Sequence, residues 1–547
     1  MATAGVSYPS AGRDDAQQNE STRPRDGSPR PGPPDDEESA TAVEPATPKQ
    51  QSTSSNGYTY GTAVEPPAAA AAPKPTDDAP RPPATRALAP DLLRGLLAAL
   101  MAMDHTVIIL NAWPHSTAAD GPESDASPVG RWTRPVGYAV RALSHLCAPG
   151  FAFLLGAGVV YFCRSRARLG WTPARLAAHF AARAAVLTAV SCVLGLALTA
   201  GRVWFLNMVL VALAVDYLLA GLLWLALAET EPALASALDR FVIGGGGRER
   251  TPLLVHNTGH GGKASARAQS VSWHAHNALL LALASVTIWW NVWLSPTHGT
   301  CTASSSSSSS SAADDFWRFW FYEVDSPRVK SGFPPLAWLS FAVLGLLYGR
   351  VVLARPDLRP AALSAGPAAA GLLFACLFVL TRVLRVGNLS EGCLRTPDQA
   401  ALPPGANPYL ASAASFFYVV KYPPDVAFFA YAAAATLLLL AALGAVPPRF
   451  ATRRLGALLL ALGSSALFFY ATHLAVLSAL AALVVLPLFG REDGRPPPAE
   501  GRPAVGVDSV PVYWATWAAA MAVMYPLCRR YSAFKQTRSA DSVWRFF

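Results

Sequence analysis

The sequence predicts an all-α, polytopic membrane protein of about ten spanning helices behind a disordered N-terminal tail. Three observations predict it. Only 14% of the residues are charged, 52% are hydrophobic, and mean hydropathy is +0.28; a soluble domain carries about a quarter charged residues. The apolar residues gather in runs of roughly 20, the length that crosses a bilayer core. Arginines cluster in alternate connections between those runs, as the positive-inside bias requires.

Residues 1–88 are rich in Pro, Ser, Ala, Gly and acidic residues, with "TAVEP" repeated at 41–45 and 62–66. Such a segment buries too little apolar surface to offset its ordering entropy, so it reads as a disordered cytosolic tail. It has no short apolar core near Met1 and does not read as a signal peptide. The net charge of +9 divides into −4 over residues 1–90 and +13 over the rest. Topology accounts for that excess, so no nucleic-acid partner is expected. Seven Cys without a CxxC pair argue against a zinc or thioredoxin-like site, and no metal is expected.

The expected spans are 91–112, 139–162, 175–199, 203–228, 272–294, 333–352, 361–385, 424–446, 455–487 and 510–530, within a membrane domain over 89–535. The ninth is long enough to tilt, to break near Gly463 or to run past the bilayer. Arg164, Arg166 and Arg168 fall in one connection; Arg350, Arg355 and Arg359 in another; Arg449, Arg453 and Arg454 in a third. These ends, both termini and the 536–547 tail then face the cytosol. The 229–271 segment, with "GGGG" at 244–247, reads as a flexible cytosolic loop, and 296–331, with its serine run 304–311, as a lumenal one. The sequon "NLS" at 388–390 falls on the lumenal side. Cys301 and Cys393 lie in two lumenal loops and are either a disulfide or two free thiols. The compartment is an endomembrane (ER, vacuole or lysosome-like) or the plasma membrane.

The first span, "DLLRGLLAALMAMDHTVIILNAWPH" (91–115), carries Asp91, Arg94, Asp104, His105 and His115. Arg94 and His105 are eleven residues apart, which returns them to one face about 16 Å apart along a helix. Ionisable groups inside a membrane are costly and mark pathways or sites. Arg94 can also snorkel to the interface, and His105 can be a buried histidine satisfied by a neighbouring helix. Asp104 lies about 100° around the helix from His105 and reads as the partner of another helix. His145, in "RALSHLCAPG", is placed to face His105 from the next span. The glycines of "GAG" (156–158) serve close packing or close ligand approach. "KYPPD" (421–425) opens the eighth span, with Pro in the first turn and Lys421 as an interface anchor or an acceptor contact. Tyr470 and His473, three apart, share a helix face. Asp216 lies deep in the fourth span and needs a partner.

The stretch "DLLRGLLAALMAMDH" resembles the catalytic-domain family of heparan-alpha-glucosaminide N-acetyltransferase, in the transmembrane acyltransferase superfamily, nearer its bacterial-type members. "RALSHLCAPGFAFLLGAG" (141–158), "GFPPLAWLSFAVLGLLYGR" (332–350), "FFYVVKYPPD" (416–425), "ALFFYATHL" (466–474) and "YPLCRRYSAFK" (525–535) resemble it too, in family order. The resemblance implies an enzyme: acetyl-CoA as donor from the cytosol, and an amino sugar or sugar hydroxyl as lumenal or extracellular acceptor. It implies His105 as the catalytic histidine with Asp104 beside it, and Arg94 as the donor-side cation. His145, Lys421, Tyr470 and His473 are candidate acceptor contacts. Animal members carry Asn where His105 stands and a His about a dozen residues later, so His115 remains the other catalytic candidate. The lipid bilayer and a glycan or other small acceptor are the expected partners, and a homodimer is compatible with the sequence. A transporter or proton-coupled channel-like protein, or a catalytically silent family member, are the alternatives.

Overall fold

Inside a bilayer every backbone N–H and C=O must be satisfied within the protein, and a helix does so within one segment. The computed structural model describes residues 88–112, 123–132, 135–244, 264–295, 297–301, 312–354, 360–451, 453–492, 505–539, 542 and 544. The expected disordered tail (all but residue 88), His115 and the serine run lie outside the described residues. The helices are α1 (Leu88–Leu110), α2 (Pro135–Ser144), α3 (Cys147–Ala167), α4 (Pro173–Leu198), α5 (Leu210–Gly244), α6 (Ala266–Trp293), α7 (Ala312–Phe321), α8 (Leu339–Leu353), α9 (Pro360–Val383), α10 (Pro397–Ala400), α11 (Ala413–Phe417), α12 (Val426–Ala445), α13 (Pro448–Ala451), α14 (Arg454–Ser464), α15 (Ala466–Leu480), α16 (Leu486–Phe489) and α17 (Val510–Gln536). Strands are limited to two or three residues each: β1 (Phe205–Asn207), β2 (Val324–Asp325), β3 (Val329–Ser331), β4 (Arg491–Glu492) and β5 (Val505–Gly506). The chain is an all-α polytopic membrane protein.

Among the described residues, nine helical stretches are long and apolar enough to cross a membrane. The sequence suggested about ten. The tenth, α17, is a full 27-residue helix. It is not one of the nine, because Tyr513, Trp514, Trp517 and Tyr525 lower its hydropathy and Arg529 and Arg530 follow before its last turn. α1 is interior, packed against α2, α3, α12, α14, α15 and α17. α4, α6 and α9 form part of the perimeter, where Val193, Leu279, Leu281, Leu372, Leu373 and Leu380 are exposed. An apolar perimeter of this kind suits lipid as its solvent.

Two expected spans are broken helices. The second divides at His145 and Leu146, between α2 and α3. Pro149 explains the break: it has no N–H to give the His145 carbonyl, and its ring excludes that carbonyl from a helical position. The ninth divides between α14 and α15 at Ser464 and Ser465. The Ser465 hydroxyl donates to the carbonyls of Ala461 (2.8 Å) or Cys528 (3.0 Å), so side chains take up backbone groups that the bend releases. At the start of α12, Pro423 and Pro424 precede the helix rather than occupy its first turn; Asp425 is the cap, accepting from Phe428 N at 2.7 Å.

The linker expected over 229–271 is narrower than the sequence suggested. α5 continues to Gly244 and α6 begins at Ala266. Residues 229–244, "ETEPALASALDRFVIG", are mostly good helix formers despite Pro232, so the helix runs on past the apolar stretch. Arg350 at the end of α8 clasps the pair, with Nη2 to Glu231 at 2.6 Å and Nε to Asn277 at 3.0 Å.

Close packing rests on reciprocal glycines. A Cβ on Gly156 of α3 would collide with the Ala342 carbonyl of α8, and one on Gly345 of α8 with the Phe153 carbonyl of α3. Packing is therefore the role of Gly156, while Gly158 faces open space.

At the opposite end from the Arg350 clasp, the loops join into a cap. β1 pairs in parallel with β3, which pairs antiparallel with β2. Ser124 bridges to Tyr422, and Val129 to Leu394. Cys301 and Cys393 form a disulfide, closing the choice left open by the sequence. Val129, Leu389, Leu394, Tyr409, Tyr418 and Val420 fill a small core beneath. Asn388 of the sequon belongs to that cap but is buried: its Nδ2 donates to the Thr381 carbonyl at 2.9 Å, and its Oδ1 accepts from Arg382 at 2.8 Å. A glycan on that nitrogen is incompatible with this packing. The sequon matched because three residues define it, and burial is invisible at that length.

Candidate functional site

Two helices far apart in the chain meet at a pair of histidines. His105 Nδ1 of α1 lies 2.8 Å from His473 Nε2 of α15, with the rings 15° from parallel. The other ring nitrogen of His473, Nδ1, lies 2.9 Å from the Phe469 carbonyl, one turn back on its own helix. A carbonyl only accepts, so His473 Nδ1 carries the proton. In a neutral ring Nε2 is then bare and accepts from His105 Nδ1–H. His105, also neutral, is left with a bare Nε2. That nitrogen makes no hydrogen bond to a described residue, and His105 is partly exposed while His473 is fully buried. The arrangement presents a base held by a second histidine, itself held by backbone.

The expectation that His145 faces His105 is not met, and His473 takes that place. His145, at the α2–α3 break, points its Nε2 at Glu123 Oε1 (3.7 Å) and packs edge-on against Phe428. Tyr470 is buried and stands edge-on to His473, ring centres 6.1 Å apart. Asp104 Oδ1 lies 3.6 Å from Arg141 Nη1 of α2, so its partner is on another helix.

Arg141 and Glu123 are the residues that sequence reasoning did not single out. Arg141 is buried and reaches both Asp104 and Glu123, the latter through Nε at 3.0 and 2.9 Å and Nη2 at 2.5 Å. Glu123 enters from the cap and is wholly buried. Burial pushes its carboxyl upward, but the Arg141 guanidinium and His145 outweigh it and hold it well below the usual carboxylate range. An Arg inside "VGYAVRALSHL" was a readable signal, since intramembrane arginine needs a partner. Glu123, in an ordinary loop, gave none.

Lys421 hangs from the same loop. Its N–H donates to the Glu123 carbonyl at 2.9 Å, as does that of Tyr422 at 3.2 Å. The side chain is 5% exposed, and Nζ lies over the Phe333 ring at 5.4 Å and the Tyr422 ring at 5.1 Å. Such burial rules out an interface anchor. Arg382 and Asp425 brace the far side of the cap: Arg382 donates to Asn388 and to the Tyr418 carbonyl, and Asp425 accepts from Leu389 N.

Arg94 sits toward the other end of α1. Its Nη1 pairs with Asp91 at 2.7 Å, and the side chain stays 27% exposed. Gly95 and Gly463 allow this end of α1 to press against α14, where a Cβ at either would meet a backbone carbonyl of the other helix. His115, the second candidate base, lies outside the described residues. His105, Asp104, His145, Tyr470, His473 and Lys421 are thus gathered on or near the cap side, with Arg94 set apart from them. Set against models of known protein families and against curated proteins, the chain matches none.

Proposed function

We propose that this chain is a membrane-embedded acyltransferase that moves an acetyl or similar acyl group from acetyl-CoA to an amino sugar or sugar hydroxyl on the opposite side of the membrane. The observation that carries the proposal is the bare His105 Nε2, fixed by the run from His105 to His473 to the Phe469 carbonyl. An attacking amine or hydroxyl must lose a proton, and a neutral imidazole is suited to take it. The acceptor nitrogen or oxygen bonds to the thioester carbonyl carbon, its proton passes to His105 Nε2, the carbon–sulfur bond breaks, and the proton leaves on the CoA sulfur. His473 holds the tautomer. Arg141 and Asp104 hold α1 against α2 beside the base. Arg94, partly exposed at the arginine-rich end, suits a CoA phosphate.

Orientation belongs to the same proposal. Arg164, Arg350, Arg449 and Arg453 face the cytosol together with both termini, and the disulfide-bearing cap faces an oxidising lumen or the outside.

The test is thiol release from acetyl-CoA by the purified protein in nanodiscs, with glucosamine as probe acceptor. His105→Ala should bind acetyl-CoA normally and lose about 10²–10⁴-fold in transfer; transfer at the wild-type rate ends the assignment. Arg94→Ala should weaken donor binding first. If only His115→Ala is inactive, the chemistry follows the loop histidine. A transporter reading has one observation behind it: Asp216 of α5 is fully buried, with neither carboxylate oxygen hydrogen-bonded among the described residues, as suits a proton carrier. Proton flux into vesicles, lost in Asp216→Asn, would favour that reading.

A further inference from the structure

The buried carboxylates around the site each have a cation nearby. Glu123 and Asp104 share Arg141, and Asp425 lies in the field of Arg382 while capping α12. Lys421 is different. Its side chain is more than nine-tenths buried, yet its ammonium has neither a carboxylate nor a carbonyl partner among the described residues, only the faces of Phe333 and Tyr422. Taking an ammonium out of water costs several kcal/mol unless its N–H groups are used, and two aromatic faces return only about 2 kcal/mol. Its three donors thus have no acceptor among the described residues beyond those two rings.

The backbone that carries that ammonium is fixed twice. Lys421 N and Tyr422 N are both tied to the Glu123 carbonyl, and the Glu123 side chain is tied to Arg141, with His145 Nε2 3.7 Å away. Through Arg141 the same network reaches Asp104, the neighbour of His105. Lys421 lies within electrostatic range of both His105 and His145. A base and a cation with no acidic partner among the described residues therefore lie within electrostatic range of each other on the cap side.

We propose that Lys421 is the oxyanion-stabilising residue of the acyl transfer, its buried ammonium facing the carbonyl oxygen as that oxygen becomes negative. The inference rests on the acyltransferase reading. When the acceptor bonds to the carbonyl carbon, the carbonyl π pair moves onto oxygen, and the acceptor's proton goes to His105 Nε2. The charge on oxygen is then met by a cation on a largely buried side chain, where such stabilisation exceeds its value in water. When the pair returns, the carbon–sulfur bond breaks and the CoA sulfur takes the proton. No other reagent is needed.

The experiment is steady-state transfer from acetyl-CoA to glucosamine by full-length protein in nanodiscs, with acetyl-CoA affinity measured on the same samples. Lys421→Met should lower kcat by about 10²–10³-fold. The KM for glucosamine and the Kd for acetyl-CoA should stay within about twofold, and an unchanged Tm would report an intact fold. Lys421→Arg should recover part of the loss. If Lys421→Met does not fold, Lys421→Gln, which keeps a donor without the charge, serves the same comparison. A normal kcat in the neutral variant overturns the proposal. So does a loss confined to KM, or one seen only with a carboxylated acceptor such as glucuronate, since Lys421 would then bind a ground-state anion. A wild-type protein that neither binds nor consumes acetyl-CoA removes the acyltransferase reading, and this assignment with it.

Discussion

At the scale of single residues, the histidine pair and the Glu123–Arg141 pair make separable predictions. Replacing His473 by Ala frees the His105 ring to turn and to exchange tautomers. Transfer should fall through kcat with little change in KM, and the loss of one buried hydrogen bond should cost about 1 kcal/mol of stability. Equal loss of acetyl-CoA affinity would instead mean that α15 had shifted. Glu123 governs acid stability. Its carboxyl is held below the usual value in the folded protein, so the unfolded chain binds the proton more readily. The contribution is therefore complete above about pH 5, where an ordinary Glu with pKa about 4.3 is ionised. It is lost as pH falls through the lower folded value. Tm measured from pH 7 to pH 3 should drop at the acid end, and Glu123→Gln should flatten that drop. Removing the carboxyl altogether, in Glu123→Ala, leaves Arg141 short of its main partner and should cost about 3–5 kcal/mol. These pairs were only half legible in the sequence. His105, Asp104 and His473 drew notice because they are polar within apolar runs, but the bond between the two histidines spans 368 positions, a separation over which local pattern carries no pairing information.

At the scale of elements, the helices were legible because a bilayer demands about 20 apolar residues in a row. Their interruptions were less so. Gly463 hinted at the break in the ninth run, whereas the break at His145 follows from Pro149, four residues on. The extension of α5 was missed because Glu229, Glu231 and Pro232 resemble the end of a span, although the following residues favour helix. The crossing of α3 and α8 supplies a clean test. Gly156→Val or Gly345→Val must push a side chain into a backbone carbonyl, with an expected loss of at least 1–3 kcal/mol, about the cost of overpacking. Gly158→Ala, at a helical position where an added Cβ meets nothing within 4 Å, should be neutral or raise stability by about 0.5–1 kcal/mol. Thermal unfolding of the three variants in one detergent distinguishes them, and equal behaviour would refute the close-approach account.

At the scale of the whole molecule, the cap is a closed structure laid over one end of the bundle, and the disulfide joins positions 92 residues apart. Cys301→Ser with Cys393→Ser should destabilise the protein by about 2–4 kcal/mol, with the cap loops becoming sensitive to protease before the helices do. α5 is 35 residues long, about 52 Å at 1.5 Å per residue, against a hydrocarbon core of about 30 Å. Its end therefore stands clear of the bilayer, beyond the clasp at Arg350. The span between the two histidines also has a meaning in time. A ribosome releases Cys393 long before it releases His473, so the cap can oxidise and close while α15 is still unmade. The nascent chain then has the cap and the His105 ring, but not the histidine that orients that ring. On the acyltransferase proposal, the site is therefore incomplete until α15 has emerged and inserted beside α1. A chain ended at residue 453 should accordingly carry the Cys301–Cys393 bond in cells, detectable by alkylation under non-reducing conditions, while showing no acyl transfer at all.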